Sequence, residues 1–238
     1  MTTLVSDNQA VLRGISSMAT KALLAELTTR FLATTGLTVQ IESVGGVDAA
    51  KRVQSGEAFD MVLLSSDALQ RLMEAGHVQA NSDCDWAYSN VAVAVPAGHA
   101  IPPIHTAAEL KQLVLAANKL SYSTGPSGHY LSQLFSQWGI ADALKQRIVV
   151  PPPGVPVASL LAQGEIDVGF QQRSELMHQP GIALVGDLPD EVAHTTVFSA
   201  GVGLAAVNDP ARLQAVRDFF HFISAQEQSD CRSSFGMR

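Results

Sequence analysis

Residues 60–73 read DMVLLSSDALQRLM, and the reading of this stretch decides the fold. Asp60 to Leu64 is a short, nearly unbroken apolar run, the pattern of a strand buried on both faces. Ser65-Ser66-Asp67 follows as a helix N-cap. Leu69, Leu72 and Met73 then recur at helical spacing. A buried strand feeding directly into an amphipathic helix is the repeating half of a β-α-β unit.

The same grammar extends in both directions. Upstream, Val11 to Ile15 is a short apolar run ending in Ser16-Ser17. A helix follows on Ala22, Leu23, Leu27, Phe31 and Leu32, with Gly36 as its C-cap. Leu37 to Ile41 reads as a strand, Ser43-Val-Gly-Gly as a turn, and Ala49, Ala50 and Val53 as a helix that Gly56 ends. Downstream, Val91 to Val95 alternates with alanines until Pro96-Ala-Gly98. Residues 107–117 read as a helix and Leu120 to Ser123 as a strand. Gly125-Pro-Ser-Gly128 opens a helix on Tyr130, Leu131, Leu134, Phe135 and Trp138. Ile148 to Val150 is expected as a strand, and Pro151-Pro-Pro-Gly154 opens a helix on Val157, Leu160 and Leu161. Ile166 to Phe170, Ile182 to Val185 and Thr196 to Ala200 are further strands, before a helix on Leu213, Val216, Phe219, Phe220 and Ile223. Such alternation predicts an α/β fold with mostly parallel sheets flanked by helices, whose ligands sit beyond the carboxyl ends of the strands.

Composition narrows the function. The 238 residues are 47% hydrophobic and 16% charged, with a net charge of −7, the profile of a chain with a sizeable core. No run of Lys or Arg forms a patch, so nucleic acid is excluded as an expected partner. No apolar run approaches the length of a membrane helix, so no membrane insertion is expected. Cys84 and Cys231 lack metal-type spacing and read as free thiols in a reducing compartment, with a disulfide between them as the alternative. The scattered histidines show no ligand spacing, and neither a P-loop nor a catalytic-triad pattern is present. No metal or other cofactor is expected. Met1-Thr-Thr-Leu-Val-Ser-Asp-Asn shows no basic region, apolar core or cleavage site, which predicts a cytoplasmic protein as written and a periplasmic one if a signal peptide has been removed.

One feature recurs at the strand ends. Ser16-Ser17, Ser43 with Gly45-Gly46, Ser65-Ser66, Ser123-Thr-Gly125-Pro-Ser127-Gly128 and Gly154 before Val155 each fall just ahead of a helix. Any one alone reads as an ordinary cap. Five at the same end of successive strands offer free N–H groups and hydroxyls to a small anion.

Several stretches together resemble a known family. They are LRGISSMATKALLAEL (12–27), FLATTGLTV (31–39), VQSGEAFDMVLLSSDAL (53–69), Pro96-Ala-Gly98, GPSGHYL (125–131) and LAQGEIDVGF (161–170). From Val11 to about Phe222 the chain resembles the periplasmic molybdate-binding proteins and their relatives, a class of two-lobed (type II) solute-binding proteins. The resemblance implies one lobe from residues 1–88 plus 198–238 and a second from residues 89–197. Hinge strands are implied near 89–96 and 194–200, with the ligand enclosed in a cleft between the lobes. It implies an ABC transporter as partner if the chain is exported.

Carried over by position, the resemblance places ligand contacts at Ser16, Ser17 and Ser43, and in the second lobe at the backbone of Val155 or Pro156. Ser65 is a candidate from the strand-end pattern alone, as are Ser123, Gly125, Ser127 and Gly128, where the GPSG stretch differs from the molybdate pattern and makes a Gly-rich helix entrance suited to a carboxylate or phosphate. The tyrosine that helps hold molybdate falls near Gln172, a departure that weighs against molybdate itself. Arg13, three residues before Ser16, is a candidate fork for a carboxylate; the alternative is an ion pair at a strand edge. His129 after the GPSG turn is a candidate acid/base, and a solvent-facing helix residue is its alternative.

Two functions follow. The first is a binding protein for a di- or tricarboxylate or a tetrahedral oxyanion. The second is an enzyme on the same scaffold, since aconitate isomerase resembles this family and interconverts cis- and trans-aconitate by an allylic proton shift. A ligand-sensing effector domain is a third reading, without a DNA-binding helix-turn-helix before Val11.

Overall fold

The computed structural model describes residues 11–152 and 154–238. The amino-terminal segment read above for a leader, and Pro153 of the Pro-Pro-Pro-Gly turn, lie outside the described residues. The described chain forms two compact units. The first comprises the residues up to Trp86 together with Phe198–Arg232, and the second comprises Ala87–Val197 with Ser233–Arg238.

In chain order the first unit contributes β1 (Leu12–Ser17), α1 (Lys21–Thr35), β2 (Val39–Val44), α2 (Gly46–Gln54), β3 (Met61–Ser65) and α3 (Ser66–Glu74). The chain crosses within β4 (Cys84–Pro96). The second unit holds α4 (Ala107–Ala116), β5 (Leu120–Tyr122), α5 (Pro126–Gln137), α6 (Ala141–Leu144), α7 (Val157–Ala162), β6 (Val168–Gln172), α8 (Arg173–Leu176) and β7 (Ile182–Asp187). The chain returns within β8 (Thr195–Val202) and ends in α9 (Pro210–Ser224) and α10 (Ser229–Ser234).

In the first unit the sheet runs β2-β1-β3-β8, with β1 parallel to both β2 and β3, and β8 antiparallel to β3. One apolar cluster joins Ile15, Val62 and Leu64 of the sheet to Ala49 and Val53 of α2 and Leu69, Leu72 and Met73 of α3. Helices α1 and α9 pack on each other, with Phe31 and Phe219 edge-to-face at 5.1 Å between ring centroids. The strand-helix stretch at 60–73 thus folds as its pattern demands.

In the second unit the sheet runs β7-β4-β6-β5, with β5 parallel to β6 and β4 antiparallel to both β6 and β7. The alternation at 91–95 sorts its two faces. Val91, Val93 and Val95 pack with Leu110 and Val114 of α4 and Leu131 and Phe135 of α5. Ala92 and Ala94 face Val157, Leu160 and Leu161 of α7. Gly169 lets α7 approach closely, since a Cβ there would lie 2.7 Å from both Leu161 Cδ1 and Val157 Cγ1.

The structure corrects several sequence expectations. Ile148 to Val150 is not a strand. It makes an isolated bridge to Leu120, because Pro151-Pro152 immediately beyond lack the donors a ladder needs. The second strand starts at Val39 rather than Leu37, because the helix end consumes those residues: Gly36 takes φ 76° and Leu37 N–H donates to Thr35 Oγ1 at 3.2 Å. Ser43 therefore lies inside β2 rather than in a turn. The β4 strand begins seven residues before the Val-Ala alternation, where polar residues mask its period. The last residues pack with the second unit, where Tyr88 and Arg238 exchange backbone hydrogen bonds of 3.0 Å in both directions. Cys84 and Cys231 are not joined by a disulfide. Among the described residues no helix is long and apolar enough to cross a membrane.

Candidate anion-binding site

Register builds the first group of donors. In the parallel pairing of β1 and β2, Ser16 lies opposite Ser43 at the carboxyl ends of both strands. Their hydroxyls hydrogen-bond each other at 2.7 Å, and Ser16 is fully buried. The next residue, Ser17, points to the opposite face of the sheet. Its Oγ is buried and has no hydrogen-bond partner among the described residues. Gly46, the first residue of α2, lies close by, since a Cβ there would sit 3.7 Å from Ser17 Cβ. Ser65 ends β3 and is the N-cap of α3, yet its side chain makes no capping bond. The starts of α2 and α3 therefore retain N–H groups without side-chain caps. Asp48 and Asp67 lie in those first turns and draw on the same helix dipoles. What the first unit offers an anion is hydroxyl and N–H donors rather than a positive field.

Arg13 is not brought to this group. It sits near the amino end of β1, roughly 10 Å along the strand from Ser16 at about 3.3 Å per residue. Its side chain is exposed, with the guanidinium 6.0 Å from the Phe59 ring centroid. Its backbone N–H donates to Asp60 Oδ2 at 2.7 Å, and that buried carboxylate also holds Arg212 at 2.7 Å. A depression of about 130 Å³ lined by Val53, Phe59, His77 and Leu204 lies near that same amino end of the strands, not among the serines.

The second unit carries another group. The Ser123 and Ser127 hydroxyls hydrogen-bond at 2.8 Å across the turn between β5 and α5. Gly125 is the N-cap of α5 in extended backbone and Pro126 takes its first position. Gly128 is a packing residue, because a Cβ there would lie 1.6 Å from the Ser123 carbonyl oxygen. His129 is exposed on α5 with Nε2 3.1 Å from Gln133 Nε2, as in its solvent-facing reading. The Val155 N–H donates to the Pro152 carbonyl at 3.0 Å, and Pro156, the N-cap of α7, has no N–H to offer.

Gln172 ends β6 and is buried. Its Nε2 donates to Thr196 Oγ1 at 2.6 Å, while its Oε1 has no partner among the described residues. Beside it lies a constellation that sequence reading missed. Gln171 Oε1 accepts from the Ala158 N–H in the first turn of α7 at 3.3 Å, and Gln171 Nε2 donates to Glu175 Oε1 at 2.8 Å. Burial pushes the Glu175 carboxyl up to about 7, and the hydrogen bonds from Gln171 and the Gln172 backbone offset only part of that rise. The signal that was available is the four-residue spacing of Gln171 and Glu175 across a strand-to-helix junction.

A model of the bacterial extracellular solute-binding proteins matches residues 12–238. The chain belongs to that family. As a solute-binding protein it is similar to an aconitate isomerase from a Pseudomonas species, 32% identical over 190 residues that cover 79% of this chain and 70% of that protein. Among solved structures it is similar to the periplasmic molybdate-binding protein of Azotobacter vinelandii, with a TM-score of 0.77 at 17% identity, covering 95% of this chain and 98% of that one. It is also similar to a tungstate ABC transporter structure from Geobacter sulfurreducens, with a TM-score of 0.72 at 15% identity, covering 94% and 98% of the two chains. At these identities the structural likeness establishes the two-lobed binding-protein fold and leaves the ligand to the site.

Proposed function

We propose that this solute-binding protein takes a small polycarboxylate of the aconitate type. The Ser16–Ser43 hydroxyl pair carries the anion-binding reading, and the unpartnered Ser17 hydroxyl adds a donor at the same strand end on the other face of the sheet. These neutral donors are grouped at the carboxyl ends of two parallel strands, where an α/β sheet receives its ligand. The second unit, taken by itself, carries its own hydroxyl pair in Ser123 and Ser127. Two features favour a polycarboxylate over molybdate. Gln172 stands where the resemblance expects a tyrosine, and one of its two amide N–H donors is committed to Thr196. The relative at 32% identity is an aconitate isomerase.

The test is calorimetric titration of trans-aconitate into wild type, Ser16→Ala, Ser43→Ala and the double variant. A hydrogen bond to a charged group is worth about 1.5–3 kcal/mol, so each single variant is expected to bind roughly 10- to 100-fold more weakly. The double variant is expected to lose less than the product of the two, because each hydroxyl orients the other. Wild-type affinity in both single variants would remove the serine pair from the site.

The same observations support a second reading, catalysis on this scaffold: the interconversion of cis- and trans-aconitate. It is favoured by the isomerase relative and by a carboxyl group at the end of β6 whose acidity suits proton transfer near neutral pH.

A further inference from the structure

The geometry points to Glu175 as the catalytic residue that carries the proton in an allylic isomerisation of a bound tricarboxylate. This rests on the isomerase reading above and goes beyond it by assigning the reacting group.

Strands β5 and β6 run parallel, and their register closes at Tyr122 opposite Phe170. The residues that follow, Ser123 and Gln171, therefore emerge at the same end of the second unit's sheet. Ser123 pairs with Ser127, so one hydroxyl proton bridges the pair and the other is left to donate to a substrate carboxylate. Gln171 holds Glu175 with one end of its amide and the first turn of α7 with the other. The Ser123–Ser127 pair at the start of α5 and the Gln171–Glu175 pair against α7 thus reach one end of the sheet from its two faces, with Asp187, paired to Arg173, a second carboxyl group at that end, on elements fixed by the Ala92–Leu161 and Phe135–Phe170 cores. That arrangement puts a positioned acid/base at the same end of the sheet as a substrate anchor.

Its charge setting meets the second demand. Elements α7 and β6 carry no charged side chain. On α8 and β7 the charged neighbours are Arg173 and Asp187, which pair with each other at 2.8 Å. Neither supplies Glu175 with a counter-charge. Half-buried and bonded only to amide groups, the carboxyl titrates at about 7, where it both accepts and returns a proton at working pH. His129, the acid/base candidate read from sequence, lies on the exposed face of α5.

The step balances without a co-reactant. The Glu175 carboxylate takes a proton from the methylene carbon of the substrate, breaking that C–H bond. The electron pair moves into the allylic system and the double bond shifts by one carbon. The proton on Glu175 then forms a C–H bond at the former vinyl carbon and the carboxylate is restored. Nothing is oxidised or reduced.

The experiment compares wild type with Glu175→Gln, which keeps the shape and the acceptor for Gln171 but cannot shuttle a proton. Turnover of cis- to trans-aconitate is followed across pH, and trans-aconitate binding is measured by calorimetry on the same samples. The expected result is turnover in wild type, at least a 100-fold lower kcat in the variant, and affinity kept within about threefold. The rate of Glu175→Asp, which retains a carboxyl at shorter reach, is expected between the two. A variant that turns over within tenfold of wild type would overturn the assignment to Glu175 while leaving the isomerase reading in place. Binding without turnover in the wild-type protein would overturn the isomerase reading and the assignment with it. Joint loss of binding and turnover in a Glu175→Gln protein that still melts cooperatively would also overturn it, showing Glu175 to be a binding group.

Discussion

Gly128→Ala is expected to destabilise the second unit by about 3 kcal/mol or more, through backbone overpacking. A Cβ at this position would lie 1.6 Å from the Ser123 carbonyl oxygen and 2.8 Å from its carbon, so backbone rather than a flexible side chain must move. The helix cannot easily retreat. Pro126 fixes its first turn, the Ser123–Ser127 bond ties it to the strand end, and Leu131, Leu134 and Phe135 are buried beneath it. In a chain of this size the melting temperature should fall by roughly 6–12 °C. Gly125→Ala is the internal control: its Cβ would find nothing nearer than Ser123 Oγ at 3.9 Å, and its backbone is extended. That variant is expected to melt within about 2 °C of wild type, since its change is well below 1 kcal/mol. Equal melting of the two variants would contradict this account of the helix entrance.

The second large effect is a pH dependence of stability set by Glu175. Its carboxyl titrates at about 7 in the folded protein against 4.5 for the free side chain. The folded state therefore binds the proton more tightly. Stability from this group is fully present below pH 4.5 and is lost as pH rises through 7. The loss is on the order of 3 kcal/mol between those limits. Glu175→Gln removes the titration. Denaturant melts should show the variant gaining on wild type by about that amount between pH 4 and pH 8. Any constant offset from the substitution itself cancels in that comparison. A difference that does not change with pH would contradict the buried setting of Glu175. Higher stability above neutrality with lost turnover is the trade expected of a strained catalytic group.

How far the sequence carried depends on what each residue's neighbours reveal locally. The buried strand and capped helix at 60–73 were legible because both signals are local: a hydrophobic run and a Ser-Ser-Asp cap. The strand-end serines were legible for the same reason, and Ser16 and Ser43 meet because both sit at the ends of adjacent parallel strands. Arg13 misled because proximity in sequence is not proximity along an extended strand, where three residues place it toward the opposite end. Gly128 looked like an anion cradle, but the carbonyl that explains it comes from five residues earlier through a turn. Gln171 and Glu175 went unread because they straddle a strand end and a four-residue helix, too short for any periodicity to show. Burial of that carboxyl depends on α7 and β7, which no local pattern reports.

The central claim is that this solute-binding protein takes a small polycarboxylate. The most direct measurement is a thermal-shift panel at fixed pH and protein concentration with molybdate, tungstate, sulfate, phosphate, citrate, cis-aconitate and trans-aconitate. A ligand at about a hundred times its dissociation constant stabilises by roughly 2.7 kcal/mol. The account predicts a clear upward shift with the aconitates and none with molybdate or tungstate. A shift with molybdate or tungstate alone would contradict it.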